Sequence, residues 1–185
     1  VSATGALRTE GFPYCYENGA WTAHQQGREF DAAKFRKGLH KLGADADFTV
    51  VPDIVGAGLE SLAFSLSWLD EVLASSPRAL LPVQDGVDLA DVEPHLSDRV
   101  GIFVGGNPRT NWKERTLPMW AKACRDIGTW CHVGRVNTQR RIHLCAAAGA
   151  TSFDGTSATR WAKSLPILQR AVAQTSFVLD TRSGR

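Results

Sequence analysis

The sequence predicts an α/β protein, a TIM-type (β/α) barrel that is reduced or N-terminally truncated. Two observations carry this. Six short apolar runs each close on a polar signature: Tyr16-Glu17-Asn18-Gly19, Val51-Pro52-Asp53, Val83-Gln84-Asp85-Gly86, Val104-Gly105-Gly106, His132-Val133-Gly134-Arg135 and Phe153-Asp154-Gly155. The stretches between them read as helices, and alternating strands and helices imply a parallel sheet with its loops on one face. An open doubly wound sheet is the competing architecture. The barrel is preferred because nearly every strand ends in a polar motif, as a ring of loops around one site requires.

The elements follow in order. Residues 1–11 are polar and loop-like, and Phe12 to Tyr16 reads as the first strand. Asp31 caps a helix running to Leu42, with Phe35 and Leu39 one turn apart. Phe48 to Val51 is the second strand, Leu59 to Leu73 a helix, and Ala79 to Val83 the third strand, with a short segment over Asp88 to Leu96. Val100 to Val104 is the fourth strand. A loop from Asn107 to Arg115 leads into a helix over Leu117 to Ile127. Thr129 to Val133, a helix from Thr138 to Ala148 closed by Gly149, and Thr151 to Phe153 come next. The last helix spans Ala158 to Ala173, interrupted near Pro166. These elements make one domain over residues 1–175, with 176–185 a flexible tail. Six strands do not close an eight-stranded barrel. Three explanations stand open: a strand before Val1, a reduced barrel, or a partner that completes it.

Composition narrows the function classes. The 185 residues suffice for a real core, and a net charge of +2 gives no global nucleic-acid signal, although a local basic patch is compatible with it. No apolar run is long enough to span a bilayer, so no membrane partner is expected. Cys15, Cys124, Cys131 and Cys145 form no CxxC pair. They read as buried reduced thiols of a cytoplasmic protein, and neither a zinc site nor any cofactor is implied. His24, His40, His95 and His143 have no metal-ligand spacing.

The strand ends carry the chemistry. Asp154 is placed to act as a nucleophile at a sugar anomeric carbon, with a helix cap or Asx turn as the competing reading. Glu17 could supply the second carboxyl group, protonating a leaving base, or could be a turn residue. Two carboxylates at a glycosidic carbon are the pair that glycosidases use. Asp53 and Gln84 offer acceptors and a donor to the edge of a heterocycle. Gly105, Gly106 and Gly134 would let bare backbone approach a flat ligand, and as plain turns they would do nothing more. His132 stands at a strand end as a ligand contact or a satisfied core histidine. Arg109, Lys113, Arg115, Arg135 and Arg160 cluster with Trp112 and Trp161 late in the chain. Such a set holds phosphates and stacks on bases, or forms a solvated basic face.

The order of these motifs resembles the tRNA-guanine transglycosylase superfamily. That family's fold is a (β/α)8 barrel, and its members exchange guanine in a nucleic acid for a 7-deazaguanine base through a covalent enzyme–sugar intermediate. Phe153-Asp154 followed by Thr159-Arg160 is similar to the family's nucleophile motif. Glu17-Asn18-Gly19-Ala20 stands where the family has Asp-Ser-Gly-Gly, and Asp53 where it has its base-recognising Asp. Gln84-Asp85-Gly86 resembles Gln-Gly-Gly, Gly105-Gly106 the Gly-Gly base contact, and Val133-Gly134-Arg135-Val136 the Met-Gly-Val-Gly strand end. The likeness spans most of residues 12–160 and is nearest to a small bacterial and phage group of queuine transglycosylase-like proteins. It implies Asp154 as nucleophile, Glu17 as acid/base, and a guanine or 7-deazaguanine base as ligand.

There are departures. Glu replaces Asp at position 17, and Asp85 stands where the family has Gly. The cysteine-rich zinc subdomain that helps hold tRNA in the family has no counterpart here, so DNA, a nucleoside or a nucleotide stands beside tRNA as substrate. Three other readings remain at this level. One is an N-glycoside hydrolase, with water as acceptor. Another is a non-catalytic module binding a base, nucleotide or nucleic acid. The third is a metal-dependent enzyme using Glu17, Asp53, Asp85 and Asp154 around Mg²⁺.

Overall fold

The computed structural model describes residues 1–107, 110–156 and 161–180. Five parallel strands form one sheet: β1 (Thr49–Val50), β2 (Ala79–Val83), β3 (Val100–Val104), β4 (Cys131–Val133) and β5 (Ser152–Phe153). They lie side by side in chain order, β1-β2-β3-β4-β5. An open doubly wound sheet reverses direction at a switch point, and this sheet does not. Two parallel bridges extend the series before β1, Tyr16 to Thr49 and Ser2 to Glu17.

The sheet is a curled half-barrel; a closed eight-stranded barrel is not formed by the described residues. The curl is visible in side chains. Phe48, just before β1, has its ring 5.1 Å from that of His132 on β4. In a flat sheet those strands would lie about 14 Å apart, three spacings of roughly 4.8 Å. Alternation divides the strand residues between two cores. Leu81, Val83, Ile102, Val104, Cys131 and Val133 face the helices in the main core. Phe48, Val50 and Leu80 form a second cluster with Cys15, Phe103 and Trp130, which fills the concave side.

The helices on the convex side are α1 (Ala20–Gln25), α2 (Ala32–Leu42), α3 (Leu59–Ser75), α4 (Leu89–Val92), α5 (Trp112–Ile127), α6 (Gln139–Ala148) and α7 (Leu165–Asp180). Local signals explain several of their ends. The Asp31 carboxylate accepts from the Lys34 amide to start α2, and the Thr138 hydroxyl accepts from the Arg141 amide to start α6. Gly128 and Gly149 close α5 and α6 in the left-handed region.

Three boundaries differ from the sequence expectation. The first strand is reduced to the bridges at Tyr16 and Glu17, because α1 begins at Ala20 and the chain must already be turning. Helix α5 starts five residues before Leu117, at Trp112, because Trp112 and Lys113 are both buried and draw the loop's end into the core. Pro118 therefore lies inside the helix. The expected start of the last helix, Ala158, lies outside the described residues; the helix described after it begins at Leu165, which puts Pro166 in its first turn, where a missing N–H costs nothing. It runs on to Asp180, into the segment expected as a flexible tail.

Candidate active site at the strand ends

Parallel strands in chain order bring Glu17, Asp53, Gln84, Gly105, Gly134 and Asp154 to one end of the sheet, each just beyond a strand or bridge. Within that end the residues separate into groups with different partners.

The first group surrounds Asp154. Its Oδ2 lies 3.1 Å from His132 Nε2, and its Oδ1 accepts from the Arg135 amide at 3.0 Å. His132 Nδ1 is 2.8 Å from the Ser152 hydroxyl. Ser152 and Asp154 are two apart on β5 and its extension, so both point to the concave side with His132, which is paired to Ser152 in register. Phe103 stacks on the His132 ring at 5.2 Å, so the imidazole is fixed by rings as well as by hydrogen bonds. Gly134 is required here. A Cβ at that position would lie 2.7 Å from the Phe103 ring.

Glu17 belongs to the same group, because Asp154's charge acts on it. The two carboxyl groups have opposite tendencies. Burial, then the neighbouring Asp154 charge, pushes Glu17 above the usual carboxylate range. Burial alone would also raise Asp154. The hydrogen bonds from His132 and the Arg135 amide, with the charges of His132 and Lys113, outweigh it and hold Asp154 below its ordinary value.

The second group surrounds Asp53. The Asn18 amide donates to Asp53 Oδ1 at 2.9 Å and to the Val51 carbonyl at 2.7 Å, while Asn18 Oδ1 accepts from the Ala20 amide at 2.8 Å. Asn18 thus ties the first strand end to β1 and to α1. Asp53 opens into a groove of about 460 Å³ walled by Phe30, Phe64 and Trp68, with His24, Arg28 and Glu29 among its polar residues. Glu17 and Asp154 do not line this groove.

Burial pushes the Asp53 carboxyl up to about 6, against the opposing Asn18 hydrogen bond. The folded state therefore holds this proton more tightly than the unfolded chain does. Stability falls as pH rises from about 4, the unfolded value, to about 6, and the full penalty persists above that. Asp53→Asn, which keeps the acceptor for Asn18, is expected to raise the melting temperature at pH 8 and leave it unchanged at pH 4. Thermal melts at the two pH values measure this, and an equal change at both would contradict it.

The remaining candidates are engaged by neighbouring loops and strands. Gln84 Oε1 accepts from the Gly56 amide at 2.6 Å and its Nε2 donates to the Ile54 carbonyl at 2.9 Å, so this buried amide braces the loop after β1. Asp85 accepts from the Asn107 amide and the Thr110 hydroxyl, both at 2.8 Å, and so holds the loop after β3. Gly105 donates to Val83, and Gly106, at φ +82°, packs against Trp112 where a Cβ would come within 2.7 Å of the ring.

The expected phosphate-gripping set is redistributed. Lys113 is buried on α5, not on a mobile loop, and donates to the Gly134 carbonyl. Burial, then the nearby Arg141 and Arg135 charges, lowers its pKa to about 8. Arg135 stacks its guanidinium over Trp21 of α1 at 4.1 Å, and Arg115 is exposed on α5. Arg109 and Arg160, with Thr159, lie outside the described residues.

Ser152 is the site residue that sequence reasoning missed. Its signal was present in the alternation Ser152-Phe153-Asp154, which sets the hydroxyl and the carboxylate on one face. Among the described residues, no group of three or more His, Cys, Asp or Glu side chains is arranged to hold a metal ion. All four cysteines are free thiols, and among the described residues no helix is long and apolar enough to cross a membrane. No protein-family model matches the chain, and no curated protein matches it.

Proposed function

We propose that the protein transfers a glycosyl group at a purine or 7-deazaguanine N-glycoside, with Asp154 as nucleophile and Glu17 as acid/base. One observation carries the reading: at the strand ends His132 and the Arg135 amide hold one Asp154 oxygen each and favour its charged form, while burial and the Asp154 charge raise the pKa of the Glu17 carboxyl. Environments that push two carboxyl groups apart in this way separate a nucleophile from an acid. An Asp154 oxygen attacks C1′ as the C1′–N bond breaks, and the leaving base takes its proton from Glu17. The Glu17 carboxylate then accepts a proton from the incoming base, whose nitrogen attacks C1′ and releases Asp154. Water in place of the base gives hydrolysis. His132 and the Arg135 amide hold one carboxylate oxygen each, which fixes the nucleophile's orientation. Glu17-Asn18-Gly19-Ala20 and Phe153-Asp154, two of the motifs in the transglycosylase likeness, supply both carboxyl groups. The nucleic acid, DNA or tRNA, would be held by basic side chains such as Arg115 and Arg135.

Labelled-guanine incorporation into tRNA and duplex DNA tests the reading. Exchange is expected on one polymer, and Glu17→Gln is expected to slow it by about 10²–10⁴-fold, the usual range for a lost general acid/base. No incorporation and no base release from either polymer by the wild type would reject glycosyl transfer.

A second reading has its own observation. Asp53 lies in an aromatic-walled groove that the carboxylate pair does not line. A groove of that size with one convergent carboxyl suits a flat amino-heterocycle without catalysis. Calorimetry with guanine and 7-deazaguanine bases separates the two: binding that Asp53→Ala abolishes, in a protein that turns nothing over, would favour the binding module.

A further inference from the structure

Lys113 lies on the helix side of the sheet and Asp154 on the concave side, yet one peptide group joins them. The Lys113 ammonium donates to the carbonyl of Gly134, and the N–H of the same peptide unit, that of Arg135, donates to Asp154 Oδ1 at 3.0 Å. No peptide bond among the described residues is cis, so this carbonyl and N–H point in opposite directions, through the wall of the sheet. The chain accepts an uncommon conformation to do it. Arg135 has φ +62°, which a non-glycine side chain rarely adopts, and a second hydrogen bond, from the Val136 amide to the Asp154 carbonyl at 2.6 Å, holds the turn. Lys113 itself is only 6% exposed.

We infer that Lys113 is a positioning residue that keeps Asp154 ionised by polarising the Gly134–Arg135 peptide from the opposite side of the sheet. This rests on the reading of Asp154 as the nucleophile for its catalytic meaning, but the coupling itself is independent of any reaction. A cation on the carbonyl draws electron density along the peptide and makes the N–H a stronger donor, as linked hydrogen bonds do. A stronger donor to the carboxylate favours its charged form. The other charged or titratable groups are accounted for. Lys113 is acted on by Arg141 of α6, Arg135, its neighbour Glu114 and Asp154, and the Cys145 thiol feels its charge. Asp154 is acted on by His132 and Lys113 and acts in turn on Glu17, Cys15 and Arg135.

The test is the titration of the Asp154 carboxyl carbon by NMR in three proteins. Lys113→Met keeps an unbranched stem, one atom shorter, and removes the ammonium together with the cost of its burial. It is expected to raise the Asp154 pKa by about half a unit to one unit, less than a cation in direct contact gives. Arg141→Gln removes a positive charge that faces Lys113 without touching the peptide, and is expected to leave Asp154 unshifted. In the wild type, the Arg135 amide proton is expected to move upfield as pH passes through about 8, where Lys113 loses its charge, and Lys113→Met is expected to lack that transition. An unshifted Asp154 in folded Lys113→Met, or equal shifts in both variants, would overturn the inference. So would an Arg135 amide that does not respond in the wild type, a measurement that stands even where the variant fails to fold. Failure to exchange bases would reject the function proposed above and leave this coupling intact.

Discussion

If the proposed function holds, Asp154→Asn is expected to abolish glycosyl transfer, lowering the rate by about 10⁴-fold or more, the scale on which removing a nucleophile acts. The amide has the carboxylate's shape and none of its charge, so it cannot form the sugar ester. The site should survive the change. Asn keeps an oxygen that accepts from the Arg135 amide, and the His132 ring can exchange which nitrogen carries its proton, since Nδ1 faces a hydroxyl able to donate or accept. Exchange or hydrolysis assays, paired with a thermal melt, measure both halves. Activity retained at a tenth of the wild-type rate or more would remove Asp154 from the nucleophile's role.

Trp120→Ala is expected to cost about 3–5 kcal/mol of stability, the range for emptying a buried aromatic site. Among the described residues Trp120 is the largest fully buried side chain, on the face of α5 that meets the sheet, with the Trp112 ring 6.2 Å away. Its cavity cannot collapse easily, because α5 is held by β3 and β4 on one side and α6 on the other. Among the described residues its indole N–H has no hydrogen-bond partner. Trp120→Phe, which keeps a ring and removes that orphan donor, is therefore expected to lose clearly less. Urea unfolding of the two variants gives the comparison, and a Trp120→Ala protein within 1 kcal/mol of wild type, a threshold of about the mean effect of any substitution, would contradict the packing described.

The part of the site that sequence could show is the part that depends only on topology. Strands in parallel, each followed by a helix, must present their C-terminal residues together, so Glu17, Asp53, Gln84, Gly105, Gly134 and Asp154 were placed on one end without knowing any distance. What the residues do there depends on register and side-chain direction. His132 could be a ligand contact or a core histidine from its sequence alone. Its register with Ser152 and the curl that brings Phe48 against it put it in contact with Asp154. Lys113 misled for a physical reason: a lysine among arginines and a tryptophan reads as a basic surface, but α5 begins early enough to turn it inward. Gln84 is satisfied by the loop after β1, a partner 28 residues away at Gly56 that no local pattern announces. The short first strand hid α1, whose Trp21 meets Arg135 across the strand ends.

Intact-protein mass spectrometry after acid quench looks directly for the proposed covalent enzyme–sugar intermediate. The wild-type chain, incubated with the oligonucleotide it acts on and then denatured, is expected to carry that oligonucleotide's mass, less its lost base, on the peptide containing Asp154. The Asp154→Asn chain is expected to carry none. Base release by a wild-type chain that never gains mass, or an adduct formed equally by Asp154→Asn, would contradict it.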